Sequence, residues 1–154
     1  MDSNIDSSKY HTFALRTIGH KDRLDFIEYY LEERIKNPSV VIIDGIADLC
    51  ADVNNIEESN LIVQRLMRIS TTYNVHIINV IHQNYGSQKM TGHLGSFLEK
   101  KVETHIELEA NTVNKEWVTV KCKRSRGYSF ETFSFKVNDY GLPEIVNNIY
   151  DPLK

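Results

Sequence analysis

Short apolar runs alternate with amphipathic segments along the first half of this chain. The strongest run is Val40 to Ile43, a row of branched aliphatic residues that ends at Asp44. A run of this kind is typical of a strand buried on both faces, as in the centre of a parallel sheet. A second, mostly apolar run covers residues 75–81 and predicts another buried strand.

The segments around these runs predict helices and one further strand. Residues 12–17 look extended, and residues 22–36 carry apolar positions at helical spacing. Asn55 and Glu58 resemble a capping box, and the apolar stripe that follows predicts a helix over 55–73. Strands joined by helices return to the same sheet through right-handed parallel crossovers. The first half therefore predicts an α/β fold built on a parallel sheet.

The second half of the chain changes to a strand-rich pattern. A polar stretch with glycines over 85–95 precedes a short helix predicted over 96–101 and a strand predicted over 104–109. Residues 117–123 and 130–136 then alternate as half-buried strands do. These two segments predict an antiparallel hairpin at the carboxyl-terminal side of the fold.

Length and composition narrow the class of protein. The chain has 154 residues, of which 41% are hydrophobic, and a formal net charge of −3. We expect a single domain over 1–154, with residues 1–9 and 142–154 peripheral. No apolar stretch approaches the roughly 20 residues of a membrane span, and the acidic amino terminus lacks signal-peptide features. We therefore expect a cytoplasmic protein without a membrane partner, in which any nucleic-acid contact uses a local basic patch.

Asp44 is the main candidate for chemistry. Ligands of open α/β sheets bind at the carboxyl ends of the strands, so a carboxylate there is well placed to hold a hydrated divalent cation on a nucleotide. The alternative is an ordinary Asp-Gly turn that ends the strand. Asp48 lies shortly after Asp44 in the sequence. A solvated or capping role is favoured for Asp48 over the role of a second acid in the same site.

The order of several segments resembles the core of the RecA-like P-loop ATPases. These segments are residues 40–44, 77–84, 92–96 and 101–108. The pattern is similar, more narrowly, to replicative and plasmid-replication helicases and to the ATPases of mobilizable transposons. The resemblance spans residues 13–137 and covers the carboxyl-terminal part of the family's core. It implies a mostly parallel sheet flanked by helices, with an antiparallel hairpin at the carboxyl-terminal side.

The resemblance also implies roles for polar residues at the strand ends. Asp44 matches the Walker B acid, which holds Mg²⁺ through water beside the phosphates of ATP. His82 and Gln83 match the position that senses the γ phosphate, and capping of the strand end is their alternative role. Lys89 and His93 fall in the position of the family's mobile DNA-facing loop. Single-stranded DNA is therefore the implied partner.

A basic cluster marks the carboxyl-terminal hairpin. Its members are Lys121, Lys123, Arg124 and Arg126. In related helicases the matching hairpin sends a lysine and an arginine finger into the neighbouring subunit's site, which implies a ring of identical subunits. The register leaves two choices, Lys123 with Arg124 or Arg124 with Arg126. A solvated hairpin tip is the alternative, and Tyr128 and Phe130 nearby suit either base stacking or strand packing.

The chain departs from the family in one decisive respect. The phosphate-binding pattern G-x-x-x-x-G-K-[ST] is absent from the sequence, and residues 19–22 do not replace it. We therefore expect a fragment that lacks the family's first strand and phosphate loop, and that hydrolyses ATP poorly or not at all. ATP and Mg²⁺ are expected as cofactors only together with that missing segment.

Three functions remain open from the sequence. The first is part of an ATP-dependent DNA-processing ATPase, such as a helicase, replication or mobilization protein of a mobile element. The second is a non-catalytic nucleic-acid-binding or assembly module. The third is a Mg²⁺-dependent nuclease or phosphatase that uses Asp44, Asp48 and His82.

Overall fold

The chain divides into two compact units. A computed structural model describes residues 7–84 and 89–146. The amino-terminal unit spans Met1–Leu98 and the carboxyl-terminal unit spans Glu99–Lys154. Within the described ranges, no helix combines the length and the apolar character needed to cross a membrane.

The amino-terminal unit holds the predicted parallel strands. Its elements are α1 (His20–Glu33), β1 (Val40–Asp44), α2 (Ile56–Tyr73), β2 (His76–Val80) and the beginning of α3 (Gly92–Lys101). β1 and β2 pair in parallel, with Val40 opposite His76 and Asp44 opposite Val80. The order of these elements and the parallel pairing confirm the prediction from the hydrophobic pattern.

The core of this unit lies on one face of the parallel pair. It consists of buried apolar side chains from the helices, from β1 and from the turn after β1: Leu24, Leu31, Ile43, Ile46, Ile62, Val63, Leu66 and Ile69. The opposite face is open, because Val40 and Ile42 are 51% and 61% exposed, and Ile78 and Val80 are 43% and 38% exposed. The expectation that these strands are buried on both faces is therefore wrong for the described part of the chain.

Residues 12–17 do not form the predicted strand. They include the 3-10 turn Leu15–Thr17 instead. The ring of Phe13 packs edge-on against two rings of α1, with centroids 5.1 Å from Phe26 and 4.5 Å from Tyr30. Edge-to-face ring pairs contribute attraction beyond the burial of their surface. The aromatic contacts therefore tie this segment to α1 rather than to the sheet.

The predicted cap of α2 is present in a modified form. The side chain of Asn55 accepts a hydrogen bond from the backbone N–H of Glu58 at 3.0 Å. The Glu58 carboxylate accepts from the backbone N–H groups of Ala51 and Asp52 at 3.0 and 3.3 Å, while the N–H of Asn55 donates to the Asp52 carbonyl. Glu58 therefore fixes the loop before the helix instead of closing a capping box.

Helix α3 begins earlier than the predicted range 96–101. Gly92 has φ +66°, a conformation that residues with a side chain rarely adopt. A Cβ at this position would lie 2.5 Å from the backbone oxygen of Val53. The N–H of Leu94 donates to the same Val53 oxygen at 3.1 Å, which ties the first turn of the helix to the loop before α2.

The carboxyl-terminal unit is an antiparallel sheet. Its strands are β3 (Thr104–Ala110), β4 (Trp117–Ser125), β5 (Phe133–Val137) and β6 (Pro143–Val146), in that spatial order. The hairpin of β4 and β5 confirms the prediction. β6 pairs with β5 as an edge strand and lies within the terminal range 142–154. Residues 147–154 of that range lie outside the described part of the chain.

The mixed α/β class of the fold is confirmed. A continuous, mostly parallel sheet is not found among residues 7–84 and 89–146, where the two-stranded parallel sheet and the four-stranded antiparallel sheet are separate. The difference arises at β3. Its hydrogen-bonding partner is the antiparallel strand β4, with Leu108 opposite Val120.

The start of α3 gives a test of this fold. Gly92→Ala should destabilise the protein by more than about 1 kcal/mol, because the new methyl group meets backbone and the backbone conformation is strained. Gly127→Ala is the control, since a Cβ there meets nothing within 4 Å, and it should change stability by less than about 0.5 kcal/mol. Urea unfolding of the variants measures both values. Equal losses for the two substitutions would contradict the described path of the chain around Gly92.

Candidate functional site

Asp44 lies at the carboxyl end of the parallel pair. It is the last residue of β1, stands opposite Val80 and is exposed. A cis peptide bond joins it to Gly45, and the 3-10 turn Ile46–Leu49 follows directly. The strand pleat places Asp44 on the same open face as Ile42. Its carboxylate is therefore exposed at the carboxyl end of the strand.

His82 and Gln83 follow β2 at the same edge. Both residues are exposed. The backbone oxygen of His82 accepts from the N–H of Thr91 at 3.3 Å and from its hydroxyl at 2.8 Å, and Gln83 forms a β-bridge with Met90. The chain after β2 is therefore held by backbone contacts, which leave the imidazole of His82 exposed near the end of the parallel pair.

The predicted DNA-facing loop is only partly described. Residues 85–88 of the range 85–95 lie outside the described residues, and the range ends inside α3. Lys89 is exposed beside the gap, and His93 is exposed in the first turn of α3. Both residues belong to the same unit as Asp44.

Arg23 fixes the turn that follows Asp44, a role that the sequence did not reveal. Its Nε donates to the backbone oxygens of Leu15 and Ile18 at 3.1 and 2.9 Å. Its Nη1 donates to the backbone oxygen of Asp48. One guanidinium on α1 therefore joins the amino-terminal turn to the turn after β1. Backbone oxygens carry no sequence signal, so periodicity alone could not identify this residue as a clamp.

Two kinds of metal site were considered for the acidic residues near this edge: a two-metal site and a single Mg²⁺ on a nucleotide. Among residues 7–84 and 89–146, no group of three or more His, Cys, Asp and Glu side chains could hold a metal ion. The two-metal arrangement considered for Asp44, Asp48 and His82 therefore has no geometric support. Mg²⁺ on a nucleotide needs only one or two carboxylates, because water and phosphate supply its other ligands. The exposed carboxylate of Asp44 fits that requirement.

A buried carboxylate engages one lysine of the basic cluster. The Nζ of Lys123 lies 2.8 Å from Oε2 of Glu107, a residue that is 3% exposed. The hydrogen bond to Glu107 raises the pKa of Lys123 above its ordinary value. Lys121 pairs in the same way with Glu109, at a more exposed position on the sheet. Both lysines therefore pair with acids of β3.

The two arginines of the cluster bind the end of α3. Nη1 of Arg124 donates to the backbone oxygen of Glu99 at 3.2 Å. Arg126 donates through Nη2 to the oxygen of Lys100 at 2.8 Å and through Nε to the oxygen of Val102 at 3.3 Å. Cations are favourable at a helix carboxyl terminus, where backbone oxygens are left without helical partners. The arginines therefore cap α3.

The predicted site residues fall into two groups. Asp44, His82 and Gln83 occupy one sheet edge of the amino-terminal unit, and the basic cluster belongs to the carboxyl-terminal unit. Comparison with protein-family models gives no match for the chain, and comparison with curated proteins gives none either. The functional argument therefore rests on the residues themselves.

The ion pair of Lys123 provides a test of its structural role. Lys123→Met should lower the urea midpoint of unfolding clearly more than Lys121→Met, because it removes an ammonium group from a buried carboxylate, whereas Glu109 has a side chain that is 35% exposed. Adding Glu107→Gln to Lys123→Met should restore part of the decrease in the urea midpoint of unfolding. Equal and small effects of the two lysine substitutions would show that Lys123 does not support the fold.

Proposed function

We propose that this chain carries part of the Mg²⁺–ATP site of a RecA-like, DNA-processing ATPase, such as a helicase, replication or mobilization protein of a mobile element. Asp44 holds Mg²⁺ through water, and His82 or Gln83 senses the γ phosphate. The position of Asp44 carries this proposal, since it ends a strand that pairs in parallel with β2. Ligands of α/β sheets bind at this edge.

The proposed site is incomplete by itself. When bound, Mg²⁺ neutralises charge on the phosphates. The sequence contains no phosphate loop, whose backbone amides and lysine would hold the phosphates. This chain alone therefore binds MgATP weakly and hydrolyses it little or not at all. The proposed ATPase is a cytoplasmic ring of identical subunits that acts on single-stranded DNA.

A non-catalytic nucleic-acid-binding module is the second candidate function. The contacts of the basic cluster favour this module over an arginine finger, because they engage the basic side chains within their own unit. Lys123 pairs with Glu107, and Arg124 and Arg126 cap α3. Arginine fingers need guanidinium groups that can reach a neighbouring site. Salt-dependent DNA binding without detectable nucleotide binding would select this candidate.

Nucleotide binding tests the first candidate directly. The chain should bind a fluorescent ATP analogue in a saturable manner that requires Mg²⁺. Asp44→Asn should weaken this Mg²⁺-dependent binding about tenfold or more, because it alters the group that orients the waters of the metal ion. Asp48→Asn, a matched acid in the turn after β1, should change the affinity less than about twofold.

Two results would contradict this proposal. One is nucleotide binding that does not depend on Mg²⁺ or that both substitutions weaken equally. The other is steady ATP hydrolysis by the purified chain that Asp44→Asn abolishes, because such turnover would require a complete site. Circular dichroism of each variant establishes that the fold is retained.

A further inference from the structure

The turn between β4 and β5 exposes an aromatic ring. Residues 126–132 are all exposed, and Tyr128 is 102% exposed. Phe130, two residues further on, instead packs against Phe133 with ring centroids 6.0 Å apart. The two aromatic residues of this turn therefore differ, because Phe130 contributes to packing and the ring of Tyr128 lies in solvent.

Basic residues precede this ring in the sequence and contact the end of α3 on the same unit. Arg126 binds the backbone oxygens of Lys100 and Val102, and its own N–H donates to the oxygen of Glu103 at 2.9 Å. These contacts hold the turn beside the end of α3, whose last two residues are Lys100 and Lys101, both exposed. The partners of Arg124 and Arg126 are neutral carbonyl groups. Carbonyl groups fix a guanidinium without cancelling its charge.

The local charge is opposite in sign to that of the whole chain. The cations of this region are Lys100, Lys101, Arg124 and Arg126, and its acids are Glu99, Glu103 and Glu131. The cations therefore outnumber the acids by four to three, whereas the chain has a formal net charge of −3. We name this surface, made of residues 99–103 and 124–131, the hairpin surface.

We propose that the hairpin surface binds single-stranded nucleic acid. Tyr128 stacks on an unpaired base, and the four cations contact the phosphates on either side. Aromatic rings combined with a cationic track are the general means by which proteins bind single strands. A duplex offers no free base to this ring, because its bases are stacked on one another.

This inference deepens the proposed function, because it assigns a nucleic-acid contact at a place other than Lys89 and His93. The proposed nucleic-acid contact also differs from an arginine finger, which would act in a neighbouring subunit's nucleotide site. Arg126 already uses Nε and Nη2 on backbone oxygens of its own unit, so reaching a neighbour would break both hydrogen bonds. Phosphate contacts through the remaining N–H groups leave these bonds intact.

Fluorescence anisotropy with a labelled oligo-dT strand tests the proposal. The experiment is run without nucleotide or Mg²⁺ over a range of salt concentrations. Tyr128→Ala should weaken binding about tenfold, as expected for the loss of one stacked base. The double change Lys100→Gln with Lys101→Gln should lower the slope of log affinity against log salt by about 1.4, since each phosphate contact on a single strand contributes about 0.7.

The chain offers matched controls for both changes. Tyr140 is 89% exposed in the turn between β5 and β6, and Lys115 is exposed in the turn between β3 and β4. Tyr140→Ala and Lys115→Gln should leave affinity and salt slope unchanged. An unlabelled duplex of the same length should compete less well than the unlabelled single strand.

Three outcomes would overturn the inference. These are the absence of binding to oligo-dT at low salt, equal weakening by Tyr128→Ala and Tyr140→Ala, and better competition by the duplex. The result is separable from the nucleotide site. Tyr128→Ala should retain Mg²⁺-dependent nucleotide binding, and oligo-dT binding that depends on Tyr128 would stand even if Asp44→Asn had no effect on nucleotide.

Discussion

The parallel pairing of β1 with β2 is the constraint on which the amino-terminal unit depends. The register sets Ile43 into the core and leaves Asp44 at the carboxyl end, opposite Val80. Because side chains alternate along a strand, a slip of one residue would send Ile42 inward and reverse the face of every residue in the strand. The same pairing therefore determines both the hydrophobic core and the position of the candidate site.

The open face of this pair is its most unusual property. Parallel strands are ordinarily covered on both faces, yet Val40, Ile42 and Ile78 are largely exposed in the described structure. Each of the two strands also has one edge without a strand partner among residues 7–84 and 89–146.

The sequence predicted the elements with strong periodicity, and it failed where distant contacts decide the structure. The run Val40–Ile43 and the stripe of α2 identified their elements because alternation and helical spacing are local properties. The strand predicted over 12–17 was wrong, because Phe13 contacts rings of α1 that are distant in sequence. The place of Asp44 followed from the strand end, whereas Arg23 and Arg126 bind backbone oxygens that no residue pattern marks.

Nuclear magnetic resonance of the backbone tests the central claim, that Asp44 ends a strand paired in parallel with β2. Nuclear Overhauser effects between the strands should connect Val40 with His76 and Asp44 with Val80, and the amide protons between these pairs should exchange slowly. Contacts that connect Val40 with Val80 and Asp44 with His76 would show an antiparallel pair. That result would remove Asp44 from the carboxyl edge of a parallel sheet and contradict the account.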